Sequence, residues 1–88
     1  MAALRSKWVG NPLASFLQTH DLSPSQLAVA AGTEVHVSYW ILNAYVKQLP
    51  QPIKDAIDAL DGRGAGDRVD RAYQLYRDGL AHALLMKA

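Results

Sequence analysis

Apolar residues recur every three or four positions along most of this chain, and prolines and glycines punctuate them. That period belongs to helices that bury one face. Between Asn11 and Thr19, Leu13, Phe16 and Leu17 share a face. Asn11 can cap this helix, and Pro12 suits a first turn that has no use for its N–H. Ser23 opens a second helix, with Pro24 at its first position and Gln26 where a capping-box partner belongs. Gly32 is placed to end that helix in a left-handed conformation. A third helix begins at Thr33 or Glu34 and is predicted to run to Lys47–Leu49, where Pro50 and Pro52 stop it. Its inner arc reads as Val37, Ile41, Ala44 and Tyr45, with Trp40 at the edge. Its outer arc reads as Val35, His36, Tyr39, Leu42, Asn43 and Val46. A fourth helix from Pro52 carries Ile53, Ala56, Ile57 and Leu60. A final helix, capped by Asp67, carries Val69, Tyr73, Tyr76, Leu80, Ala83 and Leu84 as a narrow stripe. No segment alternates as a strand would. The pattern predicts an all-α protein of five helices. It divides into an arm over 1–10, a helical domain over 11–61, a glycine-rich loop over 62–66 and a longer helix over 67–88.

Composition narrows the classes. At 88 residues the chain has room for one small core, and it has no cysteine for disulfides or thiolate metal sites. No apolar run approaches the ~18 residues of a membrane span, and the first residues lack the apolar core of a secretion signal. A soluble, cytoplasmic protein is expected. Nine lysines and arginines nearly balance eight acids. Residues 1–50 hold only Arg5, Lys7, Asp21, Glu34 and Lys47 among these charges. His20, His36 and His82 lack metal-ligand spacing, so neither metal nor cofactor is expected. Residues 62–66 lack the lysine and hydroxyl of a phosphate loop, and no serine sits in a nucleophile elbow. These features do not suggest an enzyme.

The bend at Gly32 carries the functional argument. Ala28 lies four residues before it, small enough for the second and third helices to cross closely. This is the physics of a helix-turn-helix, whose second helix enters a DNA major groove. The stretches LASFLQTHDLSPSQLAVAAG and VSYWILNAYVKQLPQPIKDAIDAL, within residues 11 to 60, resemble the family of Cro and phage-repressor-type helix-turn-helix regulators. The resemblance implies a lambda-repressor-like fold and double-stranded DNA as partner. It departs from the family pattern at Pro24, where members often carry a phosphate-binding glutamine. It departs again at Thr33 and Ser38, where members are usually apolar.

On that reading His36, Tyr39 and Asn43 face base edges, asparagine being suited to adenine. Thr33 lies just after the bend. Ser25 and Gln26 can hold a phosphate at the start of the second helix, or serve only its cap. Lys47 and Lys54 flank the exit of the third helix and can meet the backbone of the duplex. Arg5 and Lys7 form a basic arm. The final helix, through Tyr73, Tyr76, Leu80 and Leu84, either pairs with its copy in a homodimer or packs on its own domain. A second reading makes the domain a protein-interaction module, an adaptor or an antitoxin-like or assembly component. Its basis is the apolar outer face of Val35, Tyr39, Leu42 and Val46, which suits protein better than phosphate.

Overall fold

Asn11 decides where the first helix begins. Its side-chain oxygen accepts from the Leu13 N–H at 2.9 Å, and Pro12 follows in the first turn. The computed structural model describes residues 8–87, with side chains as far as residue 83. It contains α1 (Pro12–Thr19), α2 (Pro24–Ala31), α3 (Val35–Leu42), α4 (Gln51–Asp61) and α5 (Ala65–Lys87), with no strand among the described residues. The all-α, five-helix architecture with a longer last helix is as the apolar periodicity predicts. No helix is long and apolar enough to cross a membrane among the described residues.

The caps form as the sequence suggests. Ser23 Oγ accepts from the Gln26 N–H, and Gln26 Oε1 accepts from the Ser23 N–H, so two donors at the start of α2 are satisfied reciprocally. At the other end Gly32 adopts φ 69°. The Thr33 N–H reaches back to the Ala28 carbonyl and the Gly32 N–H to that of Val29, which closes α2 in a Schellman pattern.

The core lies between all five helices. Leu13, Leu27, Ile41, Leu42, Leu49, Ile53, Ile57 and Tyr73 are almost wholly hidden from solvent, with Trp8, Phe16 and Leu17 beside them. Helix α4 packs on α2 and α5, α2 packs on α3, and α1 packs on α5 and α3. At the α1–α4 edge, His20 stacks on Phe16 and lies 3.4 Å from the Asp61 carboxylate.

Two boundaries differ from expectation. The glycine-rich loop spans less than 62–66, because α5 already starts at Ala65. Gly66 is buried inside α5, where a Cβ would come within 2.3 Å of the Lys54 carbonyl oxygen on α4. Its missing side chain is what lets the two helices meet, and the Asp58 carboxylate takes its N–H at 2.6 Å. A glycine that reads as a flexible break is a packing contact.

Helix α3 is also shorter than expected, ending at Leu42 rather than near Lys47–Leu49. Ala44 turns the chain with φ 61°, its N–H bonding to the Ile41 carbonyl and that of Tyr45 to Trp40. This is the pattern that closes α2, built here on an alanine. The following segment, residues 43–50, has no ladder of its own. Helix α5 supplies its partners from one stripe of side chains. Asp70 Oδ1 accepts from the Leu49 N–H at 2.8 Å, Tyr73 Oη donates to the Val46 carbonyl at 2.5 Å, and Arg77 Nε donates to the Ala44 carbonyl at 3.1 Å. Burial pushes the Tyr73 phenol above its ordinary pKa, which keeps it a neutral donor.

The two left-handed residues should respond oppositely to substitution. Gly32→Ala puts a Cβ where φ is positive and should cost about 1 kcal/mol, whereas Ala44→Gly relieves the same strain and should gain up to about 1 kcal/mol. Urea unfolding midpoints that move in the same direction for both would contradict this assignment.

Candidate nucleic-acid interface

The α2–α3 pair faces solvent along Val29 and Ala30 of α2 and along one face of α3. Glu34 leads it, with extended backbone and no side-chain cap, and Val35, His36 and Trp40 stand exposed along it. His36 and Trp40 lie one turn apart with ring centroids 4.3 Å from each other. Tyr39 is half-buried, its ring 5.9 Å from that of Trp8 and packed against the core.

The register of α3 is rotated from the expected one. Ser38, Ile41 and Leu42 face inward, and Val37 is only half-buried. Leu42 and Val46, assigned to the outer arc, lie in the core or against it; Tyr45, assigned to the inner arc, is exposed. The reason is size and caps. Ser38 and Ala28, both small and fully buried, sit on the two helices that pack together. Ser38 Oγ finds no hydrogen-bond partner among the described residues. Ser38, which neither arc of the expected register includes, is therefore part of the buried face of α3.

The predicted contact residues are split by this geometry. His36 remains on the exposed face, and Thr33 is half-buried in the bend with its hydroxyl 3.4–3.5 Å from the Ala28 and Glu34 carbonyls. Gln26 uses its amide oxygen on the cap of α2, and Ser25 is half-buried in the same first turn. Asn43 does not project as a base reader. It closes α3, and its Oδ1 accepts from the Trp8 indole Nε1 at 3.0 Å. Lys47 is exposed on the segment after α3. Lys54 is turned away, 3.5 Å from an Asp67 carboxylate oxygen and 4.0 Å from one of Asp70, both on α5. Arg5 and Lys7 lie outside the described residues.

The expected dimer stripe divides as well. Tyr73 is buried by its own chain and leaves no surface for a second copy. Tyr76 is half-buried against the core, and Leu80 is exposed. Leu84 lies outside the residues whose side chains are described. Leu75, not in the stripe, is more exposed than Leu80.

Sequence reasoning missed two features. The first is the extent of apolar surface on the α2–α3 pair: Val29 is 75% exposed, Trp40 45% and Val35 42%. The second is Arg77, on the last helix, which reaches the turn at Ala44. Its spacing of four from Tyr73, and of seven from Asp70, was the available signal. No lysine or arginine occurs between Lys7 and Lys47, so neither α2 nor α3 carries a cation. The cations near the far end of α3 are Lys47 and Arg77. Comparison with family models, curated proteins and solved structures finds no match to this chain.

Asn43→Ala should release Trp8. In a Trp40→Phe background, where Trp8 is the remaining tryptophan, its emission should shift to the red and stability should fall by about 1 kcal/mol. Unchanged emission and an unchanged unfolding midpoint would mean that this hydrogen bond does not hold the N-terminal segment.

Proposed function

We propose that this chain is a double-stranded DNA-binding regulator of the lambda-repressor-like helix-turn-helix type, acting as a homodimer. The observation that carries this reading is the α2–α3 pair itself. Two eight-residue helices meet through the left-handed turn at Gly32, and the face of α3 that carries Val35, His36 and Trp40 is left uncovered. A helix so placed is the element that enters a major groove. Val35, His36 and Trp40 are then the side chains aimed at base edges, His36 through its ring nitrogens and Val35 through contact with a thymine methyl. Lys47, Arg77 and the arm that leads into Trp8 supply the attraction to phosphate. Tyr76 and Leu80 form the described part of the seam between copies, without Tyr73. Two-fold pairing would set the reading helices about 34 Å apart, one turn of duplex.

The absence of any cation between Lys7 and Lys47 favours the second reading, a protein-interaction module that uses the same uncovered face. Val29, Val35 and Trp40 then form the contact surface, and binding proceeds with little help from charge.

Salt separates the two. DNA retention should fall by about one log unit per log unit of salt for each phosphate neutralised. Selection from a random duplex pool should enrich a palindrome, and His36→Ala should change the preferred bases. No duplex retained even at about 50 mM salt would reject the DNA reading in favour of the module.

Leu80→Asp tests the seam by light scattering. The wild type should have the mass of a dimer and the variant that of a folded monomer; a variant that keeps the dimer mass would reject the seam.

A further inference from the structure

A cleft of about 270 Å³ opens between the end of α3 and the second half of α5, lined by Asn43, Ala44, Arg77, Leu80 and Ala81. Arg77 dominates its chemistry. The side chain is half-buried, and its Nε is fixed by the Ala44 carbonyl at 3.1 Å. Its two terminal nitrogens have neither an ion pair nor a hydrogen bond among the described residues. No lining residue is acidic. A guanidinium withdrawn from water without a carboxylate is costly, and its planar fork matches an oxyanion in bidentate geometry. Asn43 adds a donor. Its oxygen is held by Trp8, which leaves its amide N–H groups for a ligand. The rest of the lining is aliphatic: the methyl groups of Ala44 and Ala81 and the side chain of Leu80. The volume is just under the ~300 Å³ at which ligand pockets usually begin.

We propose that this cleft binds a small monocarboxylate carrying a short apolar chain. The carboxylate sits on the Arg77 fork with the Asn43 amide beside it, and the hydrocarbon lies on Leu80 and Ala81. A bare phosphate fits the donors but not the aliphatic lining, so the length of the carbon tail distinguishes the two kinds of anion. The site shares Arg77 with the proposed phosphate contact and Leu80 with the proposed seam, but it needs neither DNA nor a second copy to form. Its occupant would touch the turn that ends α3 and the side chain that accepts from the Trp8 indole, so the setting of Trp8 would respond to it.

The test is heteronuclear NMR of the full chain without DNA, titrated with acetate, butyrate and hexanoate, and with inorganic phosphate and hexylamine as controls. Hexanoate should shift the Arg77 side-chain N–H, the Ala44 amide and the Leu80 methyls saturably, and should bind more tightly than acetate. Arg77→Gln should weaken hexanoate at least about tenfold, the scale of a charged hydrogen bond. Because that change also loosens the turn at Ala44, Ala81→Leu provides the second arm. It fills the cleft from an exposed position and should abolish the shifts while the rest of the spectrum stays native. The proposal is overturned if no shift saturates, if affinity ignores chain length, if phosphate or hexylamine binds as well as hexanoate, or if Ala81→Leu retains the wild-type response.

Discussion

The position of α3 depends on how α5 holds the segment that follows it. Asp70, Tyr73 and Arg77 are three and four residues apart, so they line one face of α5. Along that face they take the Leu49 N–H, the Val46 carbonyl and the Ala44 carbonyl in reverse chain order. An irregular stretch packed against a core has polar backbone groups that water cannot reach, and each needs a partner. Here one helix supplies three. The last helix is therefore part of the domain rather than an appendage, and its first half has a different task from its second. Up to Arg77 it completes the monomer; from Asp78 to Ala83 its side chains are exposed.

Most of the helix starts were legible because their signals are local. Asn11 with Pro12, and Ser23 with Pro24 and Gln26, need only a few neighboring residues to act, and they act as read. Gly32 is equally local. The end of α3 was not legible, since an alanine takes the left-handed position there and nothing nearby announces it. What holds that turn comes from Asn11, thirty residues earlier, and Arg77, thirty-three later. The inward turn of Ser38 does not follow from the apolar spacing, although the resemblance sets an apolar residue at that position. Burial of a small hydroxyl is set by how closely two helices approach, which periodicity does not encode. Gly66 shows the converse, a residue whose lack of a side chain matters only once the Lys54 backbone lies against it.

The candidate site was legible in outline and misassigned in detail. The bend at Gly32 forms as read and joins α2 to α3, and His36 stays on the exposed face. Asn43 differs from expectation because an amide that suits a base suits an indole N–H as well, whereas Gln26 takes the capping role, one of the two expected of it. The Asn43 oxygen accepts from the Trp8 indole, and the Gln26 oxygen accepts from the Ser23 N–H at the start of α2. Lys54 went astray because charge in sequence gives no direction, and two aspartates of α5 lie within reach. What remains exposed on α3 is mainly aromatic and aliphatic, flanked by Glu34 at one end and by Lys47 and Arg77 beyond the other. Any ligand of this face meets shape and apolar contact first, and positive potential only at one border.

Asn11 serves two helices with one amide. Its oxygen holds the first turn of α1, while its nitrogen donates to the carbonyls of Ile41 and Leu42 at the last turn of α3, each at 3.1 Å. Fraying at either terminus would strand polar groups belonging to both. The beginning of one rod and the finish of another are thus tied through a single side chain, and the exposed face of Val35, His36 and Trp40 belongs to a helix whose last turn that side chain holds.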